Sequence, residues 1–90
     1  MKKYYFVYIL EMKSGRFYVG MTDSVGFRFQ RHIMGGVKST CRFRPLKLVH
    51  VENYKTKEEA RTREREIKSW KSHQRIEELI STVGSPASGV

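Results

Sequence analysis

The segment FVYILEMKSGRFYVGMTDSVGFRFQRH, Phe6 to His32, decides how the chain is read. Two aromatic-rich pieces, Phe6-Val7-Tyr8 and Tyr18-Val19-Gly20, stand either side of a Ser14-Gly15 turn. Tyr4 to Leu10 is a nearly continuous apolar and aromatic run, which predicts a strand buried on both faces. Period two puts Phe6, Tyr8 and Leu10 on one face and Tyr5, Val7 and Ile9 on the other. Met12 to Arg16 is the hairpin connection, with Gly15 supplying the positive φ that such loops favour. Arg16 to Met21 returns as a second strand, with Phe17, Val19 and Met21 opposite in facing to Tyr18 and Gly20. Gly20 leaves bare backbone beside Tyr18, where a ligand or another chain can come close, or it marks a bulge or a strand end.

Working outward, Thr22-Asp23-Ser24 offers helix N-cap chemistry, and Gly35-Gly36 end that helix near Met34. Val25, Phe29 and Ile33 are its expected apolar stripe, with Arg28 and His32 one turn apart at the stripe's edge. Gly26 costs about 1 kcal/mol relative to Ala in a helix, so the helix starts late or something packs close there. Val37 to Pro45 reads as a basic loop carrying Lys38, Arg42 and Arg44. A third strand covers Leu46 to Asn53, with Leu46, Leu48 and His50 alternating with Lys47, Val49 and Val51. Thr56-Lys57-Glu58-Glu59 is a capping box that opens a helix reaching about Lys71. Ser72 caps a final helix, His73 to Ser81, whose Ile76, Leu79 and Ile80 face inward. Residues 1–82 are expected to form one domain, and 83–90, rich in Gly, Ser, Ala and Pro, a flexible tail.

Composition narrows the function. Eighteen Lys and Arg against nine Asp and Glu leave a net charge of +9 on 90 residues. Such an excess fits solubility alone or a polyanion partner, and its clustering favours nucleic acid. Cys41 is the single cysteine, so no internal disulfide forms and no disulfide-linked partner is expected. His32, His50 and His73 make no zinc-ligand spacing with it. The opening Met1-Lys2-Lys3-Tyr4-Tyr5-Phe6-Val7-Tyr8-Ile9-Leu10 lacks the length and small-residue cleavage site of a signal peptide. Nothing approaches the roughly 20 apolar residues of a membrane span, so no membrane partner is expected and cytoplasmic is the default location.

Several polar residues stand where folding alone does not ask for them. Ala60, Ile67 and Trp70 define the inner face of the helix after Thr56, and Glu64 falls on that face. A carboxylate there is costly unless it is paired or holds a cation. An ion pair with Arg63 or Lys68 explains it, as does an edge position with a solvated head, and so does a metal. Tyr8 and Tyr18 suit strand packing, and a phenol with its ordinary pKa near 10 is a poor base unless a cation supports the phenolate. Arg28 alone reads as a surface charge, His32 alone as a structural histidine. Trp70 suits core packing better than stacking on a base.

Their joint spacing resembles the GIY-YIG nuclease family. Val7-Tyr8-Ile9 and Tyr18-Val19-Gly20 stand where that family has its two signatures. Arg28 follows Tyr18 by ten residues, His32 comes four later, and Glu64 lies in an A-x-x-R-E-x-x-I-K run from Ala60 to Lys68. Gly36, Thr40, Arg42, Arg44 and Pro45 resemble a loop of the small single-domain bacterial members. Phe6-Val7 replaces Gly-Ile, Val19 replaces Ile, and a late polar residue found in some members has no counterpart. The match spans about residues 4–80. The resemblance implies a phosphodiesterase that uses one divalent ion, Mg²⁺ or Mn²⁺. By that analogy Glu64 holds the metal, Tyr8 or Tyr18 helps deprotonate the attacking water, Arg28 stabilises charge on the phosphate, and His32 supports the tyrosines or the phosphate.

The expected fold is therefore α/β (α+β), order ββαβαα, a small three-stranded, mostly antiparallel sheet flanked by helices. The expected function is a metal-dependent endonuclease-like domain cutting phosphodiester bonds in nucleic acid, DNA in the first instance. Lys38, Arg42, Arg44, Lys47, Arg61, Lys68 and Lys71 are the candidate nucleic-acid contacts. They would hold phosphates without reading bases. The competitors are a non-catalytic nucleic-acid-binding module of the same fold and an interaction protein whose charge meets rRNA or a protein. Glu64→Ala leaves the binding module's affinity unchanged, and the interaction protein binds nucleic acid only weakly at physiological salt.

Overall fold

The Tyr5–Glu11 run forms β1, the middle strand of a three-stranded sheet ordered β2-β1-β3. A computed structural model describes residues 3–13, 15–37 and 46–83 of the chain. β2 is Phe17–Thr22 and β3 is Lys47–Tyr54, both antiparallel to β1. The helices are α1 (Val25–Ile33), α2 (Lys57–Ser69) and α3 (His73–Val83), giving ββαβαα. Being central, β1 is covered on both faces: Val7, Tyr8, Ile9 and Leu10 are all fully buried or nearly so. The β1–β2 hairpin turns where Gly15 adopts φ +84, closed by a Gly15 N–H to Met12 carbonyl bond of 2.8 Å.

The sheet's two faces have different chemistry. On one, Val7, Ile9 and Val19 pack with Ala60 and Ile67 of α2, bordered by Tyr5, Phe17, Met21, Val49, Trp70, Ile76, Leu79 and Ile80. Complete burial of a side chain such as Ile67 is worth roughly 1.5–3 kcal/mol. The other face carries Tyr8, Tyr18 and Gly20, and α1 lies against it through His32.

Local sequence explains the helix ends. Thr56 accepts from the Glu59 N–H at 3.1 Å while the Glu59 carboxylate accepts from the Thr56 N–H at 3.3 Å, the expected capping box. Ser72 caps α3 by accepting from the Arg75 N–H at 3.2 Å. Ser24 occupies the N-cap position of α1 without a side-chain bond; Thr22 shapes the turn instead, accepting from the Ser24 N–H at 3.0 Å. At the C-terminus of α1, Gly35 N–H bonds to the His32 carbonyl and Gly36 N–H to that of Arg31, a Schellman closure.

Four expectations need correction. Ile33 is 47% exposed and the buried residue of α1 is His32, so the inner stripe is Val25, Phe29 and His32. Gly26 is exposed within the first turn of α1 with open space around it, so neither account given for it holds. A bulge between the Ile9–His50 and Leu10–Leu48 pairs puts Leu48 and His50 on opposite faces. α2 stops at Ser69, with Trp70 as its C-cap, and α3 continues to Val83. The expected tail beyond Val83, and the loop with Lys38, Arg42 and Arg44, lie outside the described residues.

The bulge directs His50, Glu52 and Tyr54 toward α2, where they build a polar cluster the sequence reading missed. Glu52 accepts from His50 Nε2 at 2.8 Å, from the Tyr54 hydroxyl at 2.5 Å, and from Arg63 Nε and Nη2 at 2.9 and 3.2 Å. Arg63 also donates to Glu66 at 3.0 Å. Burial alone would raise the Glu52 carboxyl, but bonds from His50, Arg63 and Tyr54 outweigh it and hold its pKa at about 2. Trp70 packs at the border of the core, with Arg75 4.3 Å and Arg63 5.4 Å from its ring centroid. His73 stacks on Phe17 at 4.6 Å and donates from Nε2 to the Gly15 carbonyl at 2.6 Å, tying α3 to the hairpin.

Removing the fork from Glu52 leaves a half-buried charge short of partners. Arg63→Ala is expected to lower unfolding free energy by about 2 kcal/mol at neutral pH, measured by urea denaturation. Because the Glu52 pKa is depressed, its contribution is present above the ordinary carboxylate range near pH 4.5 and is lost as pH falls toward 2. The gap between wild type and Arg63→Ala should therefore close as the acid limit is approached.

Candidate functional site

Gly20 stands directly opposite Tyr8 in the β1–β2 ladder. A Cβ on Gly20 would overlap the Tyr8 hydroxyl and Cζ. The bare backbone thus receives the Tyr8 phenol itself, which lies across β2 and leaves the residue 1% exposed. A close approach was expected at Gly20, but what fills it is a side chain of the neighbouring strand.

Folded over Gly20, Tyr8 places its hydroxyl 3.0 Å from Nε2 of His32, a buried hydrogen bond joining residues 24 apart. Tyr18 comes from the next position along β2 on the same face. Its ring centroid is 6.2 Å from that of Tyr8 and 5.0 Å from the His32 ring, which it meets edge-on. Arg28, one helical turn before His32, puts its guanidinium beside the Tyr8 hydroxyl. The structure therefore brings Tyr8, Tyr18, Arg28 and His32 together from β1, β2 and α1.

Electrostatics fixes the resting protonation of this group. Burial pushes the Tyr8 phenol up to about 12, helped by Tyr18 and opposed by Arg28. Burial, then the Arg28 charge, lowers the His32 imidazole below its ordinary value. At neutral pH a protonated phenol therefore faces a neutral imidazole. Arg28 and Arg31 form no ion pair with a carboxylate among the described residues. They open with Gly36 and Val37 onto a shallow cleft.

The remaining candidates are placed differently. Glu64 sits on α2, and its Oε2 is 3.0 Å from Lys68 Nζ. Its carboxylate is 19% exposed, so the ion-pair explanation is realised without closing the group off from solvent. Lys68 is that partner rather than a free phosphate contact. Arg61 and Lys71 are exposed on and just after α2, and Lys47 is exposed opposite Glu11. No group of three or more His, Cys, Asp or Glu side chains is assembled for a metal among the described residues. A Mg²⁺ held by one or two carboxylates and completed by substrate phosphates and water does not require one, and Glu64 fits that limited role.

Two phenols, an imidazole and a guanidinium thus converge from a β-hairpin and its following helix, the grouping that the GIY-YIG resemblance leads one to expect. The model of the GIY-YIG catalytic domain matches residues 4–77, and the chain belongs to the GIY-YIG family. Among its relatives are UPF0213 proteins of Staphylococcus aureus, strains Mu50 and COL, each 40% identical over 73 residues, covering 80% of this chain and 89% of theirs. The solution NMR structure of the UPF0213 protein BH0048 from Bacillus halodurans is similar at 39% identity, with a TM-score of 0.61. The match covers 93% of this chain and 89% of that one. Among the described residues no helix is long and apolar enough to cross a membrane.

Two measurements probe the geometry. Gly20→Ala should displace Tyr8 and cost about 1–3 kcal/mol in a urea melt, whereas the same change at open Gly26 should be neutral or stabilising. The lowered His32 pKa makes its contribution complete above its ordinary value of 6.5 and progressively lost as pH falls below it. Melting temperature should therefore drop more between pH 7.5 and pH 5.5 in wild type than in His32→Gln, about a few degrees for a domain of this size. Equal pH slopes would contradict the assignment.

Proposed function

We propose that this protein is a metal-dependent nuclease that hydrolyses phosphodiester bonds in nucleic acid, DNA in the first instance. The observation carrying the reading is the buried Tyr8–His32 hydrogen bond, with Tyr18 and Arg28 closing around it. A strand, a hairpin partner and a helix converge on polar groups that an apolar contact would replace more cheaply.

In this reading Glu64 would hold one divalent ion, Mg²⁺ or Mn²⁺, together with phosphate oxygens and water. When bound, the ion polarises the phosphate and lowers the pKa of its water. Arg28 would neutralise charge that develops on the phosphate. Tyr8 keeps its proton, since burial holds its phenol near 12, and its part is to position His32. Tyr18 is less buried than Tyr8 and is the tyrosine favoured to face the attacking water. His32, neutral, is the acceptor for the Tyr8 proton and fixes the orientation of both rings. Lys47, Arg61 and Lys71, with Lys38, Arg42 and Arg44, are the proposed phosphate contacts; Lys68, paired with Glu64, would be a seventh if that pair opened.

The test is a labelled panel of single-stranded, duplex, flap and branched DNA, plus RNA, incubated with Mg²⁺, Mn²⁺ or EDTA. Metal-dependent cutting is expected in wild type. A loss of about a hundredfold or more is expected in Glu64→Ala, Arg28→Ala and Tyr18→Phe, with the fold retained by circular dichroism. Binding without cutting across the whole panel, unchanged by Glu64→Ala, would assign the protein to the non-catalytic module instead.

A further inference from the structure

The outward side of α1 is unusual for a helix on a small domain. Phe27 is 65% exposed and Met34, just past the last turn, is 73% exposed, with Ile33 at 47%. Phe27, Arg31 and Met34 fall at i, i+4 and i+7, so they share one line along the helix. The inner side is already occupied by Val25, Phe29 and His32, so this apolar surface serves no contact within the sheet layer.

Charge says what it suits. α1 has no acidic residue, and Arg31, exposed on the same line as Phe27, pairs with no carboxylate among the described residues. Arg28 adjoins Phe27 in sequence and turns toward Tyr8, and both arginines open onto the cleft at Gly36. An exposed ring one helical turn from the exposed Arg31, whose cleft Arg28 shares, combines the two elements of a single-strand platform: an aromatic face for a base and cations for its backbone. A second copy of the chain would bring like-charged arginines together, an arrangement that opposes self-association. Paired bases in an intact duplex have their faces covered by stacking, so a lone exposed ring is served by an unpaired base.

We propose that the Phe27–Arg31–Met34 face of α1 binds an unpaired stretch of nucleic acid beside the cutting site, with Phe27 stacked on a base and Arg31 on its backbone. The inference rests on the nucleic-acid reading above and adds to it a preference for single-stranded or locally unpaired substrate.

Fluorescence anisotropy with short labelled single strands and matching duplexes, in EDTA to prevent cutting, tests it. Phe27→Ala is expected to weaken single-strand binding about tenfold, Phe27→Trp to restore it, and duplex binding to change by less than about twofold. Arg31→Ala should lower the salt slope of binding by about one. If wild type binds single strands and Phe27→Ala binds them equally well, the inference is overturned while the nuclease reading stands. If wild type binds no nucleic acid, both readings fall. A shift from dimer to monomer on Phe27→Ala, in sedimentation equilibrium, would assign the face to a second copy and overturn it as well.

Discussion

The attachment of α1 centres on one phenol packed against a glycine. Tyr8 can reach His32 only because Gly20 offers no side chain where the phenol must pass. Arg28 beside the Tyr8 hydroxyl and the edge-on Tyr18–His32 contact add to it. Val25 and Phe29 are half-buried, while Phe27, Ile33 and Met34 face outward. A hydrogen bond in a buried setting is costly to leave half made, so the bond holds helix and hairpin in one relation. The groups proposed to carry out chemistry therefore also hold the element that supplies them.

The rest of the architecture follows from dividing the sheet's labours. The face toward α2 and α3 gathers the aliphatic side chains and supplies the hydrophobic stabilisation. The face toward α1 sets aromatic and ionisable groups beside the fully buried Leu10. A chain of 90 residues has a modest core. Its stability is then supplemented by polar connections at the margins, among them the Glu52–Arg63 fork and the His73 clasp on the hairpin. Each satisfies its buried polar atoms, and none is left unpartnered among the described residues.

Much of this was legible in the residues. Continuous apolarity marked β1, Gly15 marked the hairpin, and the Thr56 and Ser72 caps marked two helix starts, because each signal is local. The meeting of Tyr8, Tyr18, Arg28 and His32 was legible only from their joint spacing. The Lys68 partner of Glu64 was among the alternatives because the two lie one helical turn apart. What escaped depended on tertiary contacts. Ile33 looked like the inward residue, yet the sheet below presents a phenol, so the helix turned its imidazole inward. The bulge in β3 leaves no mark in the alternation, and it decides where His50 and Glu52 point. Arg63 meets Glu52 across 11 residues and two elements, a pairing that no single segment announces.

That bulge bears on how the molecule lives among others of its kind. In a sheet ordered β2-β1-β3, two strands of the three are edges, and an edge with a regular row of free amides invites a foreign strand. The irregularity near Val49 breaks the even spacing on the β3 side, and Lys47 sets a charge at its beginning. Together they deny a newly made or crowded neighbour a straight template to add to. The same kink that aims a carboxylate inward thus also breaks the regularity of an edge strand.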